Sequence, residues 1–373
     1  MTEPDDAYIA AVDARLQAAH RDGAETFDAL LRQAQGADPV VVAQRAAAMC
    51  PPVCTVAPPS AELTPRPDSS SRPAWSPQLH PLRSEWYFTS QCAQRLAQRF
   101  GRGRLACLGA PTVAAAATHA VLFDIDAPTL RARFGTAVES IVSLDLGATT
   151  SLPLRDAPRF DAAVVDPPWY APHPLHWLAL AAAAVQPGGA IAIVVPPELQ
   201  RPSAAAERSA VWRAAQAIGE TTLEPQAVHY ETPLFELIAM RAAGITVPSA
   251  WRTADLIHVQ LEQSQAPPPH APPPAAPTRF DTFRIQDQLV MLAHNDRGGA
   301  PGLTAVPRTN DYIWDRVSAR DPRVPDIDLW TSSSRVATVH GRPAIQRALE
   351  TLAAGERVHD GLVAEQLARV GLG

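Results

Sequence analysis

The sequence predicts an α/β protein: a mainly parallel sheet with helices on both faces, one antiparallel strand, and helical extensions at both ends. Three observations predict it. Between residues 84 and 262, short apolar runs alternate with helix-period segments, the pattern of strands joined by crossover helices. Proline-rich stretches poor in large apolar side chains bracket that segment, at 51–83 and 263–279. Several apolar runs close on aspartates, namely Asp124, Asp126, Asp145 and Asp166, at the strand ends where open α/β sheets bind ligands.

The elements follow in order. Over residues 1–50, Ile9, Val12 and Leu16, then Phe27, Leu30 and Leu31, recur at helical spacing. Gly23 and "GADP" at 36–39 punctuate them into two or three short helices. The 51–83 stretch reads as an extended linker. "EWYFTSQCAQRLAQRF" is an extended piece and then a helix capped by Thr89 or Ser90. "RLACLGA" is a buried strand, and "PTVAAAATHA" a helix with Pro111 in its permissive first turn. "AVLFDID", "VESIVSLDLG" and "RFDAAVVD" are further strands. "LHWLALAAAAVQPGG" is a helix stopped by glycine, "AIAIVVPP" a strand, and "AAAERSAVWRAAQAIG" a helix. "LEPQAVHYETPLFELIAMRA" reads as two strands joined tightly at Thr232-Pro233, an antiparallel hairpin. Residues 84–262 have the size of one domain. Beyond the second linker, "TFRIQDQLVMLA", "RPAIQRALETLAAG" and "GLVAEQLARVG" read as amphipathic helices, making 280–373 a mostly helical region. No internal repeat is visible.

Composition excludes some functions. No apolar run reaches the roughly 18 residues of a membrane span, and the acidic start lacks an export signal, so a cytoplasmic protein with no membrane partner is expected. The four cysteines fit a reduced compartment, and "MCPPVC" (Cys50, Cys54) has no matching Cys/His pair to complete a metal site. The net charge of −6, with arginine as the sole basic residue besides histidine, argues against coating long duplexes by charge alone.

One stretch carries chemistry. In "RFDAAVVDPPWYAPHP" (159–174) an apolar run ends on Asp166-Pro167-Pro168-Trp169. Prolines end a strand because they lack a ladder N–H. The Asp166 carboxylate and the Pro167 carbonyl can each accept one hydrogen of an exocyclic amine, which draws its nitrogen toward a nucleophilic geometry. Such charge-assisted bonds are worth about 1.5–3 kcal/mol each. Trp169 offers a stacking face, worth about 1–3 kcal/mol for a base. The bland alternative is a proline turn with a core tryptophan. Elsewhere, His173 and His176 read as helix-start residues facing solvent or as contacts to substrate, the former ahead, and Tyr230-Glu231-Thr232-Pro233 as the hairpin turn. Pro196-Pro197-Glu198 is a strand terminator or a wall of the substrate mouth, and Cys107 packs in a buried strand.

Taken in order, "EWYFTSQCAQRLA", "LACLGAPTVAAAA", "VLFDID" and "VVDPPWY" resemble the class I S-adenosylmethionine-dependent methyltransferases with a D/N-P-P-[YFW] motif. Within these, the chain is most similar to the N6-adenine-methyltransferase-like group. The resemblance covers about residues 84 to 245 and implies a Rossmann-like class I methyltransferase sheet with S-adenosylmethionine as cofactor. It implies that Asp166, Pro167, Pro168 and Trp169 are catalytic and that methyl goes to the N6 amine of adenine in DNA or RNA. Protein lysine as the acceptor, or a silent scaffold, stays open. On the cofactor side the resemblance implies Gly109 beside the methionine end, Phe88 and Thr89 lining it, Asp124 or Asp126 on the ribose hydroxyls, and Asp145 facing the adenine. The chain departs from the glycine-rich first loop of the wider class: only Gly109 remains, followed by Ala110-Pro111.

Overall fold

The computed structural model describes residues 6–49, 82, 85–125, 127–138, 140–153, 159–248, 250–262, 279–286, 288–306, 317, 321 and 323–372. Most of both proline-rich stretches, Cys50 and Cys54 lie outside the described residues.

Three helices come first: α1 (Asp6–Arg21), α2 (Phe27–Gln33) and α3 (Pro39–Met49). Then follow β1 (Tyr87–Phe88), α4 (Ser90–Phe100), β2 (Leu105–Leu108), α5 (Pro111–Ala116), β3 (Ala120–Asp124), α6 (Ala127–Phe134), β4 (Ser140–Ser143) and β5 (Phe160–Val165). The middle of the chain continues with α7 (His173–Ala184), β6 (Val185–Val195), α8 (Ala204–Gln216), β7 (Gly219–Glu231), α9 (Leu234–Ala242) and β8 (Thr253–Leu261). These strands form one sheet in the order β1-β7-β8-β6-β5-β2-β3-β4. From β4 to β6 every neighbouring pair is parallel. β8 runs against both β6 and β7, so β7 points the same way as β6, and β1 runs against β7. This is a Rossmann-like, mainly parallel sheet with one reversed strand in its body, plus the short reversed β1 at its edge.

The central strands are buried on both faces, which is why they read as continuous apolar runs rather than alternating ones. Ala106, Leu108, Ala163, Val165, Ile191 and Ile193 face α7 and α8. Their neighbours Leu105, Cys107, Ala162, Val164, Ala192 and Val194 face α4 and α5. Thr89 is the N-cap of α4, its hydroxyl accepting from the Cys92 amide, and Pro111 opens α5, both as the sequence indicates. Cys107 is fully buried packing.

Two readings are corrected. The segment after Thr232-Pro233 is helix α9, not a strand, and the antiparallel partner of β7 is β8, in residues the sequence did not single out. Leu234, Leu237, Met240 and Arg241 suit helical spacing, and Pro233 sits at the N-cap, where its missing N–H costs nothing. The second correction concerns 280–373, read as mostly helical. It carries β9 (Phe280–Ile285), β10 (Gln288–Ala293), β11 (Gly302–Thr304), β12 (Leu329–Thr331) and β13 (Val336–His340). Helices α10 (Arg342–Ala353) and α11 (Gly361–Arg369) follow, as expected. The strands form an antiparallel sheet in the order β11-β13-β12-β10-β9. "TFRIQDQLVMLA" is a hairpin turning at Gln286, which adopts φ 53°. Short apolar runs do not distinguish strand from helix by period alone.

The N-terminal helices share a core with α9 and the segment that leads from it to β8. Val12, Leu16, Leu30, Leu31 and Val42 pack with Met240, Ile245, Val247 and Trp251. Tyr8 Oη donates to the Leu199 carbonyl at 2.7 Å, and the Leu199 amide donates to the Gln35 carbonyl at 3.0 Å. Gln226 Nε2 reaches the Arg32 carbonyl at 2.9 Å. No helix among the described residues is long and apolar enough to cross a membrane.

A shared apolar core holds without a covalent link. A chain cut at a protease site engineered between residues 51 and 80 is therefore expected to elute as one species, both fragments together, in gel filtration. Separate elution of the N-terminal fragment from a folded remainder would contradict this packing.

Candidate functional site

The register of the sheet lines up one edge. Leu108 is level with Phe123 and with Val165, and Asp124 with Ser143. Gly109, Asp124, Asp145 and Asp166 therefore follow adjacent strand ends at the carboxyl edge, the ligand-binding edge of open α/β sheets. Because β8 and β1 are reversed, their starts lie at the same edge, together with the end of β7. That brings Trp86, Tyr230, Trp251 and Arg252 to the neighbourhood of the motif.

Asp166 still donates its amide to the Leu108 carbonyl at 2.9 Å, and the chain leaves the ladder at Pro167. Its carboxyl is met by an unexpected partner, Tyr230, whose hydroxyl donates to Oδ1 at 2.6 Å. Tyr230 is buried, and its ring lies against Phe88 (5.0 Å between centroids), Trp86 (6.3 Å) and Trp169 (5.7 Å, at 78°). Burial pushes the Asp166 carboxyl up to about 8; the Tyr230 hydrogen bond opposes this, and the negative charge of Glu85 adds to it. Tyr230 is raised well above the usual phenol value, first by its own burial and then by Asp166.

Arginines flank the aromatics of the motif. The Arg252 guanidinium sits over Trp86 at 4.0 Å and 5.8 Å from the Trp169 ring. Burial lowers its pKa, and Glu236 on α9, 3.9 Å away, compensates. The Arg201 guanidinium lies over Tyr170 at 5.2 Å and is paired to Glu207. Cation–π contacts of this kind keep a charge at an aromatic surface with little water.

The residues implied for the cofactor side fall in different surroundings. Gly109 has φ 64°, and a Cβ there would sit 2.7 Å from Trp177 Cζ3 and 2.9 Å from the Asp166 carbonyl. The loop can therefore lie tightly against the motif only with glycine. Asp124 is buried at the end of β3, and its charge is felt by Tyr87. Next to it Ile125 is 45% exposed, one of two large apolar side chains so exposed among the described residues. Asp145 accepts from the Gly147 amide at 2.9 Å and so shapes its own loop. Phe88 is sealed beneath Tyr230, and Thr89 is tied to the His229 carbonyl through its amide at 2.9 Å. Asp126 lies outside the described residues. An exposed apolar side chain beside a buried acid at the end of β3, next to the loop after β2 that glycine holds close, fits a nucleoside. Among the described residues no His, Cys, Asp and Glu cluster could hold a metal ion.

The structure thus brings Asp166, Trp169, Gly109 and Phe88 around one point and leaves Asp145 committed to its turn. Sequence reasoning missed Tyr230, read as a turn residue, and Arg252. His173 and His176 are buried in α7 rather than facing solvent, because α7 is apolar all round and its start is covered. The one available signal for Tyr230 was a lone aromatic near the end of an otherwise polar strand.

Linkage gives a test of the Asp166 environment. Its folded value lies above the usual 3.8, so the native state holds a proton that the unfolded chain releases. The stability this contributes is fully present below about pH 4 and is lost as pH rises toward 8. Asp166→Asn, which keeps an acceptor for Tyr230 but does not titrate, is expected to gain on the wild type in urea midpoint from pH 5 to pH 8. Parallel pH profiles of the two proteins would contradict the buried, raised carboxyl.

No protein-family model matches the sequence, and no curated protein matches it. Solved structures do resemble it. A branched-chain polyamine synthase from Thermus thermophilus is 17% identical, with a TM-score of 0.49 over 71% of this chain and 90% of that one. A 16S rRNA N2 G1207 methyltransferase from T. thermophilus is 15% identical, with a TM-score of 0.30 over 63% of this chain and 54% of that one. The N-methyltransferase NodS from Bradyrhizobium japonicum is 13% identical, with a TM-score of 0.28 over 47% and 86%. These similarities carry nothing about activity to this chain, whose fold assignment rests on its own strand order.

Proposed function

We propose that the protein is an S-adenosylmethionine-dependent N-methyltransferase acting on the exocyclic N6 amine of adenine in DNA or RNA. The observation that carries this reading is the end of β5, where one carboxyl oxygen of Asp166 is held by Tyr230 while Trp169 stands beside it.

Gly109, Asp124 and Ile125 are the residues that would hold the cofactor, the acid for its ribose hydroxyls and the isoleucine for its base. When bound, S-adenosylmethionine supplies an electrophilic methyl group. Asp166 accepts one hydrogen of the target amine through Oδ2, and the Pro167 carbonyl accepts the other. This fixes the amine with its lone pair directed along the attack line, the orientation effect of a positioned nucleophile. Once nitrogen has gained its methyl group it is cationic and acidic, and its proton passes to Asp166 or to water. Trp169 stacks on the adenine and offsets the few kcal/mol of unstacking that exposes a base. Arg252, partly exposed over the Trp86 ring at the motif, suits a strand carrying phosphates.

One observation favours a second acceptor. Glu85 lies close enough to Asp166 to raise its pKa, and two acids at one mouth suit a cationic amine such as a protein lysine.

Transfer of labelled methyl from S-adenosylmethionine should appear in nucleic acid rather than in protein. Asp166→Ala should lower the rate about a hundred- to thousand-fold, for ~2–4 kcal/mol of lost transition-state stabilisation, with cofactor affinity within a few-fold. Trp169→Ala should be impaired on a base. A lysine acceptor would instead leave Trp169→Phe nearly silent and place the label in protein. Near-normal transfer by Asp166→Ala would overturn the assignment.

A further inference from the structure

We propose that Tyr230 is the positioning residue of this site: its hydroxyl claims Oδ1 of Asp166, leaving Oδ2 as the one oxygen presented to the acceptor amine, while its ring sets the angle of Trp169. The proposal rests on the methyl-transfer reading above.

The geometry carries it. A phenol donating at 2.6 Å lies in the short range of hydroxyl–carboxylate bonds. A carboxyl with two free oxygens rotates about χ2; with one oxygen held, its plane is fixed and the acceptor is unambiguous. The same ring meets Trp169 edge-on at 5.7 Å. One side chain thereby orients both the hydrogen-bonding and the stacking partner of the substrate.

The fold spends structure to place it. Tyr230 follows an irregularity in β7, where four residue steps from Glu224 to Val228 face two from Leu256 to Ala254. Such bulges re-aim the side chains beyond them. Gln226, at φ 52°, is pinned through its amide to Asp255 Oδ1 at 2.7 Å and through its side chain to the Arg32 carbonyl at 2.9 Å. The Arg95 guanidinium donates to the Ala227 carbonyl. Helices on both sides of the strand hold the bulge in place.

The role has a pH signature. The ionisable groups facing the Asp166–Tyr230 pair are Glu85 ahead of β1, Cys92 on α4 with Arg95 behind it, and Arg252 ahead of β8 with Glu236 behind it. Among them Tyr230 is the group hydrogen-bonded to the carboxyl and favouring its ionised form. Asp166 accepts most strongly from an amine, and can take its proton, only when ionised, so loss of the bond moves the acid limb of activity upward.

The test compares wild type with Tyr230→Phe, which keeps the ring. The acid limb of kcat/KM is expected to rise by about one to two pH units, with about a ten- to hundredfold loss at pH 7 that closes only as the pH rises past the shifted limb. Placing 2,3-difluorotyrosine at 230, a stronger donor, should move the limb down. In parallel, the ¹³C carboxyl resonance of Asp166, assigned by its loss in Asp166→Asn, should titrate higher in Tyr230→Phe. A shifted carboxyl in a protein whose wild type methylates neither nucleic acid nor protein would uphold the positioning role and remove the proposed reaction. An unshifted carboxyl, or a loss of rate that is the same at every pH, would overturn the inference.

Discussion

The hydrogen bond between Tyr230 and Asp166 is the contact on which the rest of the site depends. A carboxyl at the end of a strand buried on both faces loses water and needs a partner. The partner comes from a strand three places away in the sheet, β7 against β5. Bringing a phenol across that distance requires the bulge at Gln226, the reversed strands that put Trp86 and Arg252 at the same edge, and the packing of Phe88 beneath the ring. The N-terminal helices enter through Arg32 and Gln35, which brace the bulge and the loop after β6. A segment joined to the sheet through a long proline-rich stretch is thus part of the support of the site.

Glycine serves a related constraint on the other side of Asp166. Gly109 allows the loop after β2 to press on the Asp166 carbonyl and on Trp177. In the resemblance this glycine belongs to the cofactor; in the structure its missing side chain also makes room for the motif. The two uses are compatible because the loop has two faces. The first loop is short of glycines relative to the wider class, and the contacts show where the remaining one is needed.

Much of the sheet was legible because its physics is local. Alternating apolar runs and helix-period segments give β2 through β6 with α5 and α7, though not α6, and acids at the strand ends mark the edge that matters. What was not legible depends on long-range pairing. α9 was read as a strand because Thr232-Pro233 looks like a turn, and β8 escaped because its partners in β7 and β6 lie across α9 and α8 rather than beside it in sequence. The β9–β10 hairpin has the apolar content of a helix face, and only its pairing decides the matter. Tyr230 escaped for the same reason: nothing within 60 residues of it in sequence announces Asp166. Asp145, by contrast, stood at a legible strand end, yet its carboxylate closes its own loop, a local alternative that Asp often takes.

The central claim is that one edge of the sheet holds S-adenosylmethionine beside Asp166, between the loops after β2, β3 and β5. Ultraviolet cross-linking of methyl-labelled S-adenosylmethionine to the intact protein, followed by peptide mapping, tests it most directly. The account predicts label in peptides bearing Gly109–Pro111, Asp124–Ile125 or Asp166–Trp169, competed by S-adenosylhomocysteine. Label confined to residues 280–373, or none that the competitor removes, would contradict it.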